Sequence, residues 1–564
     1  MTRAVLFLML VASLFGVRAD AEPRPMSPVD MIEIPRLSDG ALSPDGRYFA
    51  YLRSSTLWAE NKIINELKII DRASGALVDI PALSEADVSD SRVWWHPDSS
   101  GFVFLKTPEA APSGDRKRQA YFYHLERDEQ TQLTAHEEAI LDVDWMPDGS
   151  GFYFVSAQQQ PVSDRALLAD GWVIPPFEAN ANREIWYFDL GDQAARSVVS
   201  GEFSIRQVSV SGNDAALTYS RVPDHRFDSV YRGDVFVNHR DDNQSARWTA
   251  NAHGEVEPQL APDGRSLAYI ATVNEDGEPF YEPKVFIKTA DREPERLLPR
   301  MAMEALSFAW DRSGEGVFVL GNTGLRANLY HYHLSSETLR QLIDGDQSVA
   351  SWSYDARTDT HIARIETAAS PGEFQIMSDE SEGFQPITSE YAHWPDTFLT
   401  PSQAQVSWRG RWGARIEGLL VYPIGYEEGK RYPLVTITHG GPQASARFGT
   451  WFASNYLPVL AGQGYTITPL SAAAFSFDIT VNNSDLDEGT YTITVTGIGG
   501  GDPEIDVLFG LNIEGPLKAT QAPLTIFVVY GEHLVEIGNL KDFQLKQMGP
   551  TIVIIIILTK VPVT

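Results

Sequence analysis

A turn followed by an apolar strand recurs at nearly constant spacing through the first two thirds of this 564-residue chain, and no other feature limits its folding as much. Ser43-Pro44-Asp45-Gly46 runs into Tyr48-Phe49-Ala50-Tyr51. Trp95-His96-Pro97-Asp98 precedes GFVFL, and Trp145-Met146-Pro147-Asp148-Gly149 precedes GFYFV. Related turns follow at Ser211-Gly212-Asn213-Asp214, Ala261-Pro262-Asp263-Gly264, Trp310-Asp311-Arg312-Ser313 and Trp352-Ser353-Tyr354-Asp355. Marked at residues 44, 97, 147, 212, 262, 312 and 354, the intervals are 53, 50, 65, 50, 50 and 42. A second strand signal lies about 25 residues into each unit, as in Tyr121–Leu125 and Ile185–Asp189. A period near 50 with several strands per unit is the pattern of β-propeller blades. Pro-Asp-Gly suits a type I turn, because Pro presets φ and Asp caps the backbone. The reading is seven four-stranded blades over residues 41–395. The long third interval holds an inserted loop, Pro161 to Asn182, in which Glu178 is a candidate peptide-binding acid by location alone.

The ends of the chain differ from this middle. Arg3, the apolar run Ala4–Val17 and Ala19-Asp20-Ala21 have the layout of a secretory signal, cleaved after Ala21. The run is 14 residues, short of the ~20 that span a bilayer. Residues 22–40 carry four prolines and read as an extended lead-in. There is no cysteine, so no disulfide, thiol nucleophile or thiolate metal site is available. A net charge of −31 disfavours nucleic acid, whose phosphates it repels. The expected location is periplasmic or secreted.

From residue 396 the pattern changes to that of an α/β sheet. Val406–Trp408 and Ile416–Tyr422 read as two strands. Pro433–His439 reads as a buried parallel strand closing on Gly440, Gly441 and Pro442. Phe448–Gly462 reads as a helix and Tyr465–Pro469 as the next parallel strand. At about Ser471 the sequence changes again. Phe475–Thr496 alternates as two antiparallel strands about an acidic turn. Ile552–Leu558 (IVIIIIL) reads as an aggregation-prone β segment. The expected fold is therefore mainly β: a seven-bladed propeller, an incomplete α/β-hydrolase part over 396–470, and a β-rich tail over 471–564.

The blades, then IEGLLVYP from Ile416, YPLVTITHGGPQ from Tyr432 and LAGQGY from Leu460, resemble the prolyl oligopeptidase family of serine peptidases, on its acylaminoacyl-peptidase and dipeptidyl-peptidase-like branch. The resemblance covers residues 30–470. It implies a propeller capping an α/β-hydrolase domain, short peptides as substrates, no cofactor, and Ser, Asp and His in that order after the HGGP turn. It also implies Gly441, with Gly440 beside it, as backbone donors of an oxyanion hole. No G-x-S-x-G elbow occurs in the chain. Ser445 follows the turn too closely to be its serine, and His533 is the one histidine after His439. The residues from Phe475 to Val507 resemble Ig-like repeats of bacterial surface proteins, which suggests a junction to unrelated sequence near residue 471. The expectation is a peptidase lineage whose present chain lacks its catalytic triad; the alternative is a propeller that only binds peptides or protein partners. His331 and His333 share a strand with no third metal ligand in sight, and Gly497–Gly501 lacks the Lys-Ser/Thr of a phosphate loop.

Overall fold

The computed structural model describes residues 22–83, 92–108, 117–158, 182–211, 216–239, 244–251, 253–273, 279–289, 294–297, 303–409, 415–438, 445–449 and 456–470, together with strands at 475–481, 489–497, 509–514, 525–530, 533–537 and 552–557. The signal-like residues 1–21 lie outside this set, as do Glu178 and most of the 161–182 insertion.

Four of the turns are built in the same way by their aspartates; Gly212–Asp214 lies outside the described residues. Asp45 Oδ1 accepts the Arg47 amide at 3.0 Å, Asp98 Oδ1 that of Ser100 at 2.8 Å, and Asp148 Oδ1 that of Ser150 at 2.9 Å. Asp263 does the same for Arg265 at 2.8 Å. The next residue sits in the left-handed region, with φ of 73° at Gly46, 72° at Gly149 and 69° at Gly264, which is why glycine recurs there. The repeated tryptophans have a separate task. Trp95 Nε1 donates to Ala41 O (3.2 Å), Trp145 Nε1 to Trp94 O (3.0 Å), and Trp310 Nε1 to Gln259 O (3.1 Å). Each indole ends the first strand of its unit and reaches back to the first strand of the unit before it.

Seven successive groups of four antiparallel strands result. The first comprises Arg36–Leu42, Tyr48–Leu57, Lys62–Asp71 and Ala76–Leu77; the seventh comprises Gln347–Asp355, Thr360–Thr367, Ser370–Met377 and Gln385–Pro386. Groups six and seven are also joined by a single parallel bridge, Ala327 to Ser348. Alternate residues of a strand face opposite neighbours. In Gly101–Lys106, Phe102 and Phe104 pack towards the first group, whereas Val103 and Leu105 pack towards the third. Six apolar clusters fill the successive joints. A seventh joins Leu37, Phe49 and Tyr51 of the first group to Ile362, Phe374 and Ile376 of the last, so the groups close into a ring. Among the described residues each group takes its strands from consecutive chain. The seam is held by side chains: Phe49 and Phe374 rings meet at 5.2 Å, and Tyr51 Oη and Arg53 Nε donate to Glu390 at 3.0 and 2.8 Å.

The lead-in is not wholly extended. Pro28–Glu33 is a helix with Ser27 as N-cap, a capping box through Asp30, and Pro28 in its first turn. Arg36–Leu42 then opens the first group, ahead of the first expected turn.

After the ring come Gln403–Arg409, Arg415–Val421, Leu434–Thr438, a helix and Thr466–Leu470. Leu434–Thr438 and Thr466–Leu470 are parallel, with Val435 opposite Ile467. The helix is shorter than the expected Phe448–Gly462: it spans Leu457–Gly462, and Phe448 is instead buried with its amide on Leu325 O at 3.0 Å. The tail strands at Phe475–Val481 and Gly489–Gly497 pair antiparallel as read, and Phe509–Glu514 adds a third. Ile552–Ile557 does not stand alone. It pairs antiparallel with Leu434–Thr438 and extends that sheet to Thr525–Tyr530 and His533–Ile537.

Candidate active-site face

In each group the turn between second and third strands points to one face of the ring. Three features meet on that face. The third group's insertion leaves it between Ala157 and Arg183, its base closed by Gln158 N–H on Asn182 O at 2.7 Å. The first group's hairpin tip, Trp58–Glu60, projects from it. The sixth group's turn at Gly324 and Leu325 holds the segment that follows the Gly-rich turn of residues 439–442.

Gly440 and Gly441 lie outside the described residues, but their flanks are placed. Leu434–Thr438 ends directly before the turn, and Ser445–Gly449 resumes after it against the ring. Asn322 Nδ2 donates to both Glu304 Oε2 and Ser445 Oγ at 2.9 Å. Gly449 N–H donates to Gln403 Oε1 at 3.0 Å. Gly449 has φ of 84°, and a Cβ there would lie 2.7 Å from the Glu366 Cβ, so glycine is required by both conformation and space. The Arg326 guanidinium lies 4.9 Å over the Phe448 ring and donates to Gln405 Oε1 (2.9 Å) and Asp346 Oδ1 (3.1 Å).

This clamp bears on Ser445, which the sequence already sets too close to the turn to be its serine. The Ser445 hydroxyl accepts from Asn322 and meets no imidazole among the described residues. A serine without a base within reach is a poor nucleophile. His533 stands on the far strand of the sheet order Leu434–Thr438, Ile552–Ile557, Thr525–Tyr530, His533–Ile537. Three strand spacings of about 4.8 Å put its backbone roughly 14 Å from the strand that leads into the turn. His331 belongs to the ring: its imidazole stacks on Phe318 at 4.4 Å and its Nε2 lies 3.1 Å from Asp311 Oδ2. His333 faces Glu315 at 3.8 Å. Among the described residues no three metal-binding side chains gather. Gly497 ends its strand, and residues 498–501 lie outside the described set.

The first three groups line a polar cavity of about 450 Å³. Its wall includes Asp39, Asn65, Arg118 and the Arg92–Asp142 ion pair, with Arg92 4.9 Å over the Trp94 ring. Further round the ring, acids sit where water is scarce. Asp144 accepts the Val210 amide at 2.7 Å across the joint of groups three and four, and burial raises its carboxyl to about 7. Glu255 is buried beneath Thr249, Asn251 and the Val235 amide, and burial raises it to about 7 as well.

Asn322, Glu304, Arg326 and Gln403 were not candidates from sequence. A lone signal was present for Asn322, a polar residue closing the apolar run GVFVLG. Replacing Arg326 by alanine removes a stacked cation and three hydrogen bonds, two of them to Asp346, at a partly exposed site, worth about 1 kcal/mol. Limited proteolysis should then cut the 403–470 region roughly fivefold faster, with the ring's own melting unchanged. An unaltered digestion rate would show that Arg326 holds nothing.

No family model matches the chain. Dipeptidyl-peptidase 5 of Porphyromonas gingivalis is 24% identical over 215 residues, which cover 38% of this chain and 31% of the relative. An acylaminoacyl peptidase solved with Z-Gly-Gly-Phe-chloromethyl ketone superposes with a TM-score of 0.59 at 15% identity, over 79% of this chain and 66% of that one. A structure from a study of two prolyl endopeptidases superposes with a TM-score of 0.55 at 14% identity, over 83% and 66%. The chain thus spans about a third of the length of the curated relatives it matches. A propeller followed by a parallel strand pair is the fold that the chain shares with these structures, and its similarity to these relatives supports the prolyl oligopeptidase family.

Proposed function

We propose that the chain is a peptide-handling member of the serine peptidase lineage that does not itself hydrolyse peptides. In this reading the ring admits short peptides to the face that carries Ser445–Gly449, and Gly440 and Gly441 keep the turn from which an oxyanion hole is made. The observation that carries it is where Ser445, the serine nearest the turn, and His533, the one histidine after it, are held. The Ser445 hydroxyl is engaged by Asn322, and the His533 backbone stands three strands from the strand before the turn. A peptidase without its serine–histidine pair retains only the small acceleration that binding and an oxyanion hole supply. No cofactor enters the scheme. The N-terminal pattern supports export to the periplasm or medium. Among the described residues no helix is long and apolar enough to cross a membrane. Sequence beyond residue 471 is read as joined to a hydrolase part that it does not complete.

The purified chain is expected to remain unlabelled by a fluorophosphonate probe under conditions that label an active serine hydrolase. Covalent labelling at any serine overturns the proposal. A second reading, an autonomous binding ring, is favoured by six of the seven apolar joints, which among the described residues use no residue after 395; the closing joint also takes in Val459. It requires a protease-resistant core ending near residue 395, and digestion throughout the ring would count against it.

A further inference from the structure

Among the described residues eight large apolar side chains are well exposed, and five of them belong to one region. Val29 and Ile32 lie one turn apart on the Pro28–Glu33 helix, 49% and 44% exposed. Trp58 (52%) and Ile63 (64%) are on the first group's hairpin, and Tyr456 (45%) precedes the Leu457–Gly462 helix. Ile32, Trp58, Ile63 and Tyr456 line a groove of about 620 Å³. Soluble monomers seldom leave a contiguous apolar patch beyond a few hundred Å².

The hairpin explains why the patch projects. Its two strands are ten residues each, but the neighbouring Arg36–Leu42 pairs only as far as Ser54. Residues 55–64 therefore run past the body of the group and end in the Trp58–Glu60 turn, closed by Asn61 at φ 50°. The Trp58 Nε1 donates to Glu33 Oε1 at 2.7 Å. That bond fixes the indole and satisfies its polar edge.

We propose that this face is an interface between two copies of the chain, related by a twofold axis, with the hairpin tip of each seated in the groove of the other. A twofold contact needs a surface complementary to itself. Here a tip carrying Trp58 and a groove lined by Ile32, Ile63 and Tyr456 with Ser54, Ser55 and Thr56 lie side by side. The charges fit the same partner. The chain carries a net charge of −31, yet Arg36 and Lys62 are on the groove wall, and Glu60 lies on the tip with its carboxylate on Lys62. In an antiparallel pair of tips, Glu60 of each copy meets Lys62 of the other, and no like charges are opposed. A fixed indole at the centre is the side chain most often found to dominate such contacts. None of these residues takes part in the Ser445–Gly449 clamp, so the proposal is independent of whether the chain handles peptides.

Light scattering on the size-fractionated full chain tests it. The expected mass is twice that of one chain. Trp58→Asp and Ile63→Asp are each expected to weaken association by roughly 30-fold or more, with the circular dichroism spectrum and melting of the ring retained. Should Trp58→Asp fail to fold, Ile63→Asp, on an exposed strand position, carries the test. Lys62→Glu is expected to weaken the pair, and Glu60→Lys with Lys62→Glu to restore it. A single-chain mass up to roughly 100 μM, where a micromolar dimer would be saturated, overturns the proposal. A dimer insensitive to both aspartate variants overturns it equally.

Discussion

Phe374→Ala is expected to destabilise the ring by about 3–5 kcal/mol, the usual cost of emptying a buried phenylalanine site. Phe374 is 2% exposed and belongs to the cluster that joins the last group to the first. Its ring lies 5.2 Å from Phe49 and 6.2 Å from Tyr51. Among the described residues no strand crosses this seam, so backbone hydrogen bonding gives no reserve when the side chain goes. Gly40 provides an internal control. A Cβ at Gly40 would lie 2.6 Å from the Phe374 ring, so Gly40→Ala alone should be harmful. In the Phe374→Ala background the closest clash is relieved and Phe49 Cζ, at 2.9 Å, remains, so the two changes should be non-additive. Urea unfolding followed by tryptophan fluorescence measures all four proteins. A loss below about 1 kcal/mol for Phe374→Ala would mean that the seam is held elsewhere.

Glu255→Gln is expected to reverse its effect on stability with pH. The folded-state carboxyl is raised by burial to about 7, from an ordinary 4.5. Between those values the folded chain holds a proton that the unfolded chain has lost. Stability therefore falls as pH rises through the window, by about 1.4 kcal/mol per unit and about 3 kcal/mol in total. Glutamine keeps the shape and removes the titration. It also accepts fewer bonds than a carboxylate receiving Thr249, Asn251 and the Val235 amide, a loss of about 1 kcal/mol. The variant should be the weaker protein at pH 5 and the stronger, by about 2 kcal/mol, at pH 8. Aspartates lowered by their hydrogen bonds, such as Asp45 and Asp311, do not confuse the result, because their contribution is lost only as pH falls below the ordinary carboxylate range. Parallel pH profiles for the two proteins would sink the assignment.

The ring was legible because its turns are local. Asp45, Asp98, Asp148 and Asp263 each bond an amide two residues on, and a left-handed residue follows, so the pattern is written within five positions. The Pro28–Glu33 helix was equally local and was missed because the proline count was read as extended chain. Proline at a first helical turn after a serine cap is a start signal. The Leu457–Gly462 helix was drawn too long for a different reason. Phe448 is apolar because the Leu325 turn of the ring buries it, not because it lies on a helix face. The clamp itself was invisible, since Asn322 and Ser445 are 123 positions apart and neither belongs to a motif. Ile552–Ile557 could be recognised as a strand, but nothing in six β-branched residues names Leu434–Thr438 as the partner.

The tryptophans that reach backwards bear on how such a ring arises. Trp95, Trp145 and Trp310 each bond a carbonyl 54, 51 and 51 residues earlier, close to one repeat length. A copy of one repeat inserted beside its parent therefore inherits the joint to its predecessor and offers the same carbonyl to its successor. Gene duplication can lengthen the row without inventing a contact. The seam obeys another rule, since it also recruits Trp394 and the helix bearing Met31, which lie outside the repeated groups. The number of repeats is thus fixed by the two ends, while the joints between them would tolerate any count.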